Sequence, residues 1–196
     1  MIAIINSGGA NIASVKFALE RLGADSILTD DVNIIRSADK VLLPGVGAAP
    51  VAMQCLSQSG LVDCIQTLKQ PVLGICLGMQ LLFSHSAEGD TPLLGLFDAN
   101  CTAFKPTSHR SVPHMGWNRL DFCQPHPLLA GVDNGSHVYF VHSYFAPVTS
   151  QTVAACAYGD NFTAIVGEKN FMGCQFHPER SGPVGARILK NFLEMK

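Results

Sequence analysis

Residues 71–80, Pro71-Val72-Leu73-Gly74-Ile75-Cys76-Leu77-Gly78-Met79-Gln80, restrict the possible folds of this chain more than any other stretch. Val72, Leu73 and Ile75 read as a buried strand, and Met79, Leu81, Leu82 and Phe83 as part of a helix that follows it. Between the two the chain must turn sharply at Cys76, and Gly74-x-Cys76-x-Gly78 is the cysteine form of a nucleophile elbow. Such a turn leaves no room for side chains at the flanking positions, which is why glycine stands there. It lifts the central thiol onto the N-terminus of the helix, where free N–H groups and the helix dipole favour a thiolate and the oxyanion of an attacked carbonyl. Taken alone, the pattern suits a buried structural cysteine between packing glycines equally well. The rest of the chain has to decide.

A strand that feeds a helix across an elbow belongs in a parallel sheet, and the first half of the chain alternates accordingly. Ile2-Ala3-Ile4-Ile5 is an apolar run ending in a turn at Gly8-Gly9. From Asn11 onward, Ile12, Val15, Leu19 and Leu22 recur at helical spacing, with Lys16, Glu20 and Arg21 elsewhere on the wheel and Gly23 as the stop. Residues 25–29 give a second strand and 32–38 a short helical crossover. Lys40-Val41-Leu42-Leu43 is a third strand that runs into Pro44-Gly45-Val46-Gly47. Helical pieces at 50–57 and 61–69 lead to the elbow strand. Sheets of this kind carry their sites beyond the carboxyl ends of the strands. The Gly8-Gly9, Gly45-x-Gly47 and Cys76 turns are therefore expected along one edge.

Past the elbow the pattern changes. Residues 99–104, 114–122, 137–145, 152–158, 162–166 and 171–176 are strand-like, separated by turns such as Asp133-Asn134-Gly135, Gly159-Asp160-Asn161 and Glu168-Lys169-Asn170. Short strands in succession imply hairpins and antiparallel additions to the sheet. Residues 182–195 read as a closing helix with Val184, Ile188, Leu189, Phe192 and Leu193 as its buried stripe. No repeat, linker or low-complexity stretch interrupts this order. The expectation is one α/β domain over residues 1–196, with a central, mostly parallel sheet, helices on both faces and antiparallel strands added in the second half.

A chain of 196 residues can bury a core without disulfides. An apolar content of 47% against 14% charged residues implies large buried faces, and a formal net charge of −2 lacks the basic excess of a nucleic-acid binder. Seven scattered cysteines without a Cys-x-x-Cys pair argue against a disulfide framework or a zinc site. They suit a reducing compartment, and the cytoplasm is expected. The start lacks the basic region of a signal peptide, and no apolar run is long enough to span a membrane. Neither nucleic acid nor membrane is expected as a partner, and neither metal nor cofactor as a component.

Phe176-His177-Pro178-Glu179 follows the last strand. Proline between the two polar residues fixes the backbone there, so both side chains can serve a common site. An imidazole would take the thiol proton while the carboxylate holds its tautomer, the logic of a nucleophile–base–orienter triad. Alone, the tripeptide fits an ordinary surface loop better. Together with the elbow, however, Gln175-Phe176-His177-Pro178-Glu179 resembles the signature pair of the class I (triad-type) glutamine amidotransferases, whose fold is flavodoxin-like. Pro44-Gly45-Val46-Gly47 is similar to that family's oxyanion segment. Pro113-His114-Met115-Gly116-Trp117-Asn118, Tyr139-Phe140-Val141-His142-Ser143-Tyr144 and Arg180-Ser181-Gly182 resemble the branch that forms the glutaminase subunits of imidazole glycerol phosphate synthases, enzymes of histidine biosynthesis. The resemblance runs from the first strand to Lys190-Asn191-Phe192-Leu193.

The resemblance implies that Cys76 is the nucleophile, His177 the general base and acid, and Glu179 its orienter. Attack on the side-chain amide of L-glutamine would give a glutamyl thioester and ammonia, and water would then free glutamate. It implies an oxyanion hole from the Leu77 and Val46 N–H groups, and a substrate pocket using Gly45, Gly47, Gln80, His142, Ser143 and Tyr144. Gln80 otherwise reads as a solvated helix residue and Tyr144 as a core aromatic. Glycine on both sides of Val46 lets that peptide rotate at little steric cost. The resemblance extends this to a gate that opens when the partner binds its own substrate.

Residues Pro113, His114, Met115, Trp117 and Asn118 would face the partner, a cyclase subunit built as a (βα)8 barrel that consumes the ammonia to make imidazole glycerol phosphate and AICAR. An exposed tryptophan beside an amide suits an interface hot spot, whereas spacing alone would put Trp117 and His114 in the core. One departure is visible, since relatives often carry an acidic residue where this chain has Asn6, and Asn11 and Ser14 are given at most an interface role. Three other readings stay open. They are a glutaminase of an anthranilate- or aminodeoxychorismate-type synthase, a cysteine hydrolase on a similar sheet, and a dinucleotide or flavin module. The last lacks a complete Gly-x-Gly-x-x-Gly, because Pro50 stands at the third position after Gly45 and Gly47.

Overall fold

A computed structural model describes residues 1–6 and 12–195. The Gly8-Gly9 turn and Asn11 lie outside the described residues. The first half runs β1 (Ile2–Ile5), α1 (Ile12–Arg21), β2 (Ser26–Thr29), α2 (Val32–Ser37), β3 (Lys40–Gly45), α3 (Ala49–Gln58), α4 (Leu61–Gln66), β4 (Val72–Cys76) and the single-turn helix α5 (Leu77–Gln80). The second half has β5 (Phe83–Ser86), β6 (Thr91–Pro92), β7 (Phe97–Ala103), β8 (His114–Arg119), β9 (Asp121–Phe122), β10 (His137–His142) and β11 (Tyr144–Phe145). It ends with β12 (Thr152–Tyr158), β13 (Asp160–Glu168), β14 (Phe171–Cys174) and α6 (Gly182–Glu194).

The main sheet has the order β2-β1-β3-β4-β14-β13-β12-β9. Pairing is parallel from β2 through β14 and antiparallel from β14 outward to β9. Parallel strands carry apolar residues on both faces, and β1 illustrates this. Ile2 and Ile4 join a core shared with Val15 and Leu19 of α1 and Ile188, Leu189 and Phe192 of α6. Ala3 and Ile5 join the opposite core with Ile35 of α2, Leu56 of α3 and Ile65 of α4. Short-range chemistry sets the helix ends. Asp31 caps α2 by accepting from the Asn33 N–H at 2.7 Å. The chain leaves α1 through Gly23 at φ 73°, with the Ala24 N–H on Leu19 O at 3.0 Å.

Three expectations need correction. The helix after the elbow does not reach Phe83. It stops at Gln80, and Phe83 opens β5, which pairs with β7. Leu81, Leu82 and Phe83 are all fully buried, and a short apolar run without a solvent face carries no periodicity that separates helix from strand. Residues 114–122 and 137–145 are not single strands, because each breaks into two pieces that serve different sheets. Nor do all the later strands extend the main sheet. β8 and β10 form a separate antiparallel pair, and β11, β7, β5 and β6 form a four-stranded layer.

Candidate active site

The elbow is built from a strained residue and a close approach. Cys76 has φ 54° and ψ −113°, a backbone that a residue with a side chain holds only when its surroundings enforce it. What enforces it is α5 lying directly on β3 and β4. A Cβ on Gly78 would sit 1.7 Å from the carbonyl oxygen of Leu43, and one on Gly74 would sit 2.6 Å from that of Gly78. Gly45 pairs with Cys76 in the β3–β4 register and is pressed against Gly78 N in the same way.

Beyond the ends of β3 and β4 opens a cavity of about 330 Å³ lined by Val46, Gly47, Cys76, Leu77, Gln80, Glu88, Pro113, Val141, His142, Ser143, Tyr144 and His177. Cys76 borders it while only 7% exposed as a residue. His177 borders the same space from the turn after β14, and its Nδ1 bonds Glu179 Oε1 at 2.8 Å. The Glu179 side chain is wholly buried behind it. His177 is itself held in place. Its N–H donates to Tyr139 O at 2.9 Å, and the buried Ser181 hydroxyl donates to His177 O at 2.7 Å while accepting the Tyr139 N–H at 2.9 Å. Burial lowers the His177 pKa, but the neighbouring Cys76 sulfur and the Glu179 carboxylate outweigh it and raise the value from 6.5 to about 10. A ring that stays protonated in this way is the partner a thiolate needs.

Three other cysteines are held as thiols by their surroundings. Burial pushes the thiols of Cys101 and Cys156 up to about 12. Cys174, next to the site, is raised well above 9 by burial first and then by Glu179 and Cys76, and its S–H donates to Gly74 O at 3.8 Å. Among the described residues no cluster of His, Cys, Asp and Glu could hold a metal ion.

Gln80 is buried rather than solvated, and its Nε2 donates to Tyr144 O at 2.8 Å and to Gln175 Oε1 at 3.0 Å. Ser143 and Tyr144 are half-buried on the cavity wall. Two other expected substrate residues differ in how they meet the cavity, which His142 lines. Gly45 does not line the cavity but lies beneath the elbow, where its missing side chain permits packing. The His142 ring offers a substrate no polar atom, because Nδ1 bonds Tyr144 O at 2.8 Å and Nε2 bonds His114 Nδ1 at 3.0 Å.

Strand β8 divides the expected interface by its period of two. Met115 and Trp117 point outward, 63% and 57% exposed, so Trp117 is not core. Pro113 is exposed and borders the cavity, and Asn118 is half-buried at the strand's far end, its amide bonded to Ala157 O at 2.9 Å. His114 is corrected: it points inward, 3% exposed, with its ring 4.0 Å from that of Tyr158 and 4.9 Å from that of Phe140. Asn6 follows β1 at the carboxyl edge of the sheet, its N–H on Thr29 O at 3.2 Å, and Ser14 is half-buried on α1.

Sequence reasoning missed Glu88. It reaches the cavity from the loop between β5 and β6, its Oε2 accepting the Ala49 N–H at 2.7 Å at the start of α3. A lone acidic residue in a turn has no periodic signal, and only the tertiary fold reveals it.

Burial lowers the pKa of His114 to about 4, and burial, with His114 and His177 as lesser causes, lowers that of His142 to about 3. The unfolded chain protonates both rings below about pH 6.5, whereas the folded one does not until about 4 and about 3. Their contribution to stability is therefore complete above pH 6.5 and is lost as pH falls toward those values. His177 has the opposite sign, with a contribution present below pH 6.5 and lost as pH rises through about 10. Two extra protons taken up on unfolding correspond to about 2.7 kcal/mol per pH unit. Urea unfolding between pH 6.5 and 5 should approach that slope at the acid end, and a flat profile would mean that both rings titrate inside the fold.

The chain matches the family described as "Glutamine amidotransferase class-I" over residues 3–195. It is 53% identical over 194 residues to "Imidazole glycerol phosphate synthase subunit HisH" of Xylella fastidiosa (strain Temecula1 / ATCC 700964), covering 99% of this chain and 97% of that protein. The protein of that name from Shewanella oneidensis is 50% identical over 212 residues, covering 100% and 96%. Among solved structures, a putative GMP synthase component from Thermoplasma acidophilum superposes with a TM-score of 0.75 at 21% identity, covering 98% of this chain and 91% of that one. Another, a glutamine amidotransferase, gives 0.75 at 18% identity, covering 98% and 97%. These two bear on the fold alone.

Proposed function

Because this chain belongs to the class-I glutamine amidotransferases, we propose that it is the glutaminase subunit of an imidazole glycerol phosphate synthase, acting in the cytoplasm as one domain beside a cyclase subunit. One observation carries the mechanism: a strained cysteine and an imidazole tied to a buried carboxylate border one amino-acid-sized cavity. The Cys76 sulfur attacks the side-chain carbonyl carbon of glutamine, and the carbonyl electron pair moves onto oxygen. The Leu77 N–H, which opens α5 and has no partner within that helix, and the Val46 N–H receive this oxyanion. His177 Nε2–H then protonates the departing nitrogen, which leaves as ammonia and gives the thioester. Water attacks the thioester, His177 takes its proton, and glutamate leaves the restored sulfur.

Substrate recognition follows from the charges at the wall. With its nitrogen committed inward, Gln80 offers its carbonyl oxygen, and Glu88 adds a carboxylate. Both suit the α-ammonium of glutamine, and the Ser143–Tyr144 backbone suits its carboxylate. Free ammonia would become ammonium in bulk water, so the acceptor must dock near the cavity mouth. Pro113, exposed beside the cavity, with the exposed Met115 and Trp117 on the same segment, supports this as the cyclase face.

The test is reconstitution with the cyclase, supplied with its nucleotide substrate. Glutamine should drive product formation only when this chain is present, while ammonium salts drive the cyclase without it. If the Val46 N–H is turned away in the isolated chain, glutamine hydrolysis alone should be slower by about a hundredfold, the effect of one missing oxyanion donor. Equal rates with and without the loaded partner would remove the gate. Stimulation by an anthranilate- or aminodeoxychorismate-type synthase instead would reassign the partner.

A further inference from the structure

Two neutral histidines buried side by side are costly unless each ring nitrogen is used, and here each is. The Tyr144 carbonyl can only accept, so the His142 nitrogen 2.8 Å from it, Nδ1, carries a hydrogen. His142 Nε2 is then a lone pair, and the His114 Nδ1 3.0 Å away must carry a hydrogen in turn. His114 Nε2 is left as an acceptor, facing Asn118 Nδ2 at 3.4 Å. Asn118 also donates to Ala157 O at 2.9 Å, which fixes which end of its amide is nitrogen.

The same carbonyl orders a second branch. Gln80 Nε2 donates to Tyr144 O at 2.8 Å, so the Gln175 atom 3.0 Å from that nitrogen is its oxygen. Gln175 therefore turns its N–H group toward the nucleophile, with Nε2 3.8 Å from Cys76 Sγ. One main-chain oxygen thus sets the orientation of two imidazoles and two amides. The path begins at Asn118, on the strand that exposes Met115 and Trp117, and ends at the reacting sulfur.

We infer that His114 and His142 are positioning residues for the glutaminase: through the Tyr144 carbonyl they hold Gln80 and Gln175, and hence the Cys76 sulfur and the substrate wall, in register with strand β8. The inference rests on the glutaminase reading of the site. It differs from a purely packing role in requiring a hydrogen on one named ring nitrogen. Phenylalanine would fill the slot between Tyr158 and Phe140 but cannot donate to His142. Asparagine keeps a donor near the position of Nδ1 while giving up the stacking.

Two measurements test it. Ring-nitrogen NMR of the labelled full chain should find both histidines neutral at pH 7 with hydrogen on Nδ1, and hydrogen on Nε2 of either ring would overturn the inference. In the cyclase complex, His114→Phe should lower kcat/KM for glutamine by about ten- to a hundredfold, the scale of misplacement by an ångström or less. Its affinity for the cyclase, followed by the fluorescence of Trp117, should stay within about threefold. His114→Asn should recover most of the lost rate despite its poorer packing. A His114→Phe variant as active as wild type, or two variants equally impaired in proportion to their melting temperatures, would reduce the pair to core packing. Wild type and Cys76→Ala run alongside: if neither turns over glutamine the functional reading fails, whereas the NMR result still judges the tautomers.

Discussion

Gly78→Ala is expected to abolish glutamine turnover and to lower the melting temperature by about 6–12 °C. The added methyl would sit 1.7 Å from Leu43 O and 2.8 Å from Leu43 C. Both are backbone atoms of a central strand, so no rotamer change relieves the clash. The φ of Gly78 lies outside the left-handed region, so the effect measures the close approach alone. To admit the methyl, α5 must lift away from β3, and it carries with it the backbone of Cys76 and Leu77. Overpacking that shifts backbone costs about 3 kcal/mol, and a chain of this length loses about 2–4 °C per kcal/mol. The Cys76 sulfur and the Leu77 N–H, the proposed nucleophile and oxyanion donor, move together, so the rate should fall by more than the roughly hundredfold that an ångström of misplacement costs. Gly95→Ala is the control. Gly95 has φ 68° with nothing within 4 Å of its Cβ position, so it should cost only about 1–2 kcal/mol of backbone strain and leave turnover intact. Equal losses in the two variants would mean that α5 does not rest on β3.

The elbow was legible because its cause is local, a turn that demands glycine, cysteine, glycine in order. The parallel half was legible for a similar reason, since Ile2–Ile5 and Lys40–Gly45 are apolar on both faces and alternate with helical patterns. Features that depend on register between distant segments were not. His114 lies opposite His142 only because β8 pairs with β10 in one register, and nothing within either segment announces an inward-facing imidazole pair. Gln175 and Glu88 likewise reach the cavity region through tertiary packing. Leu81, Leu82 and Phe83 misled for a different reason: a fully buried run has no polar face to reveal its period. Residues 114–122 broke where Leu120, wholly buried, turns into the core with its N–H on Ser136 O at 2.9 Å. The resemblance carried the remaining weight, because it joined Cys76 to His177 across the intervening strands, which no spacing rule does.

Cys76→Ala should lower glutamine hydrolysis by about 10⁴–10⁶-fold, His177→Ala should do nearly as much, and the double variant should be no worse than either. The reason is the division of labour proposed above for Cys76, His177 and Glu179. Without sulfur no thioester forms, and the imidazole has nothing to activate. Without the imidazole, neither the proton for the leaving nitrogen nor the base for the attacking water is available. Glu179 acts one step further back, and Glu179→Gln distinguishes orientation from charge. Its amide can donate to His177 Nδ1, which would strip that nitrogen of hydrogen and leave Nε2 protonated, unable to take a proton from thiol or water. A loss of about 10²–10⁴-fold is expected. The His177 pKa should also drop from its value of about 10, because one of the two partners that raise it has lost its charge. The pH–rate profile and the ring titration should therefore shift together in this variant. If the losses in the Cys76→Ala, His177→Ala double variant multiply instead of saturating, the two residues act independently. The shared cavity would then hold two separate functions rather than one reaction.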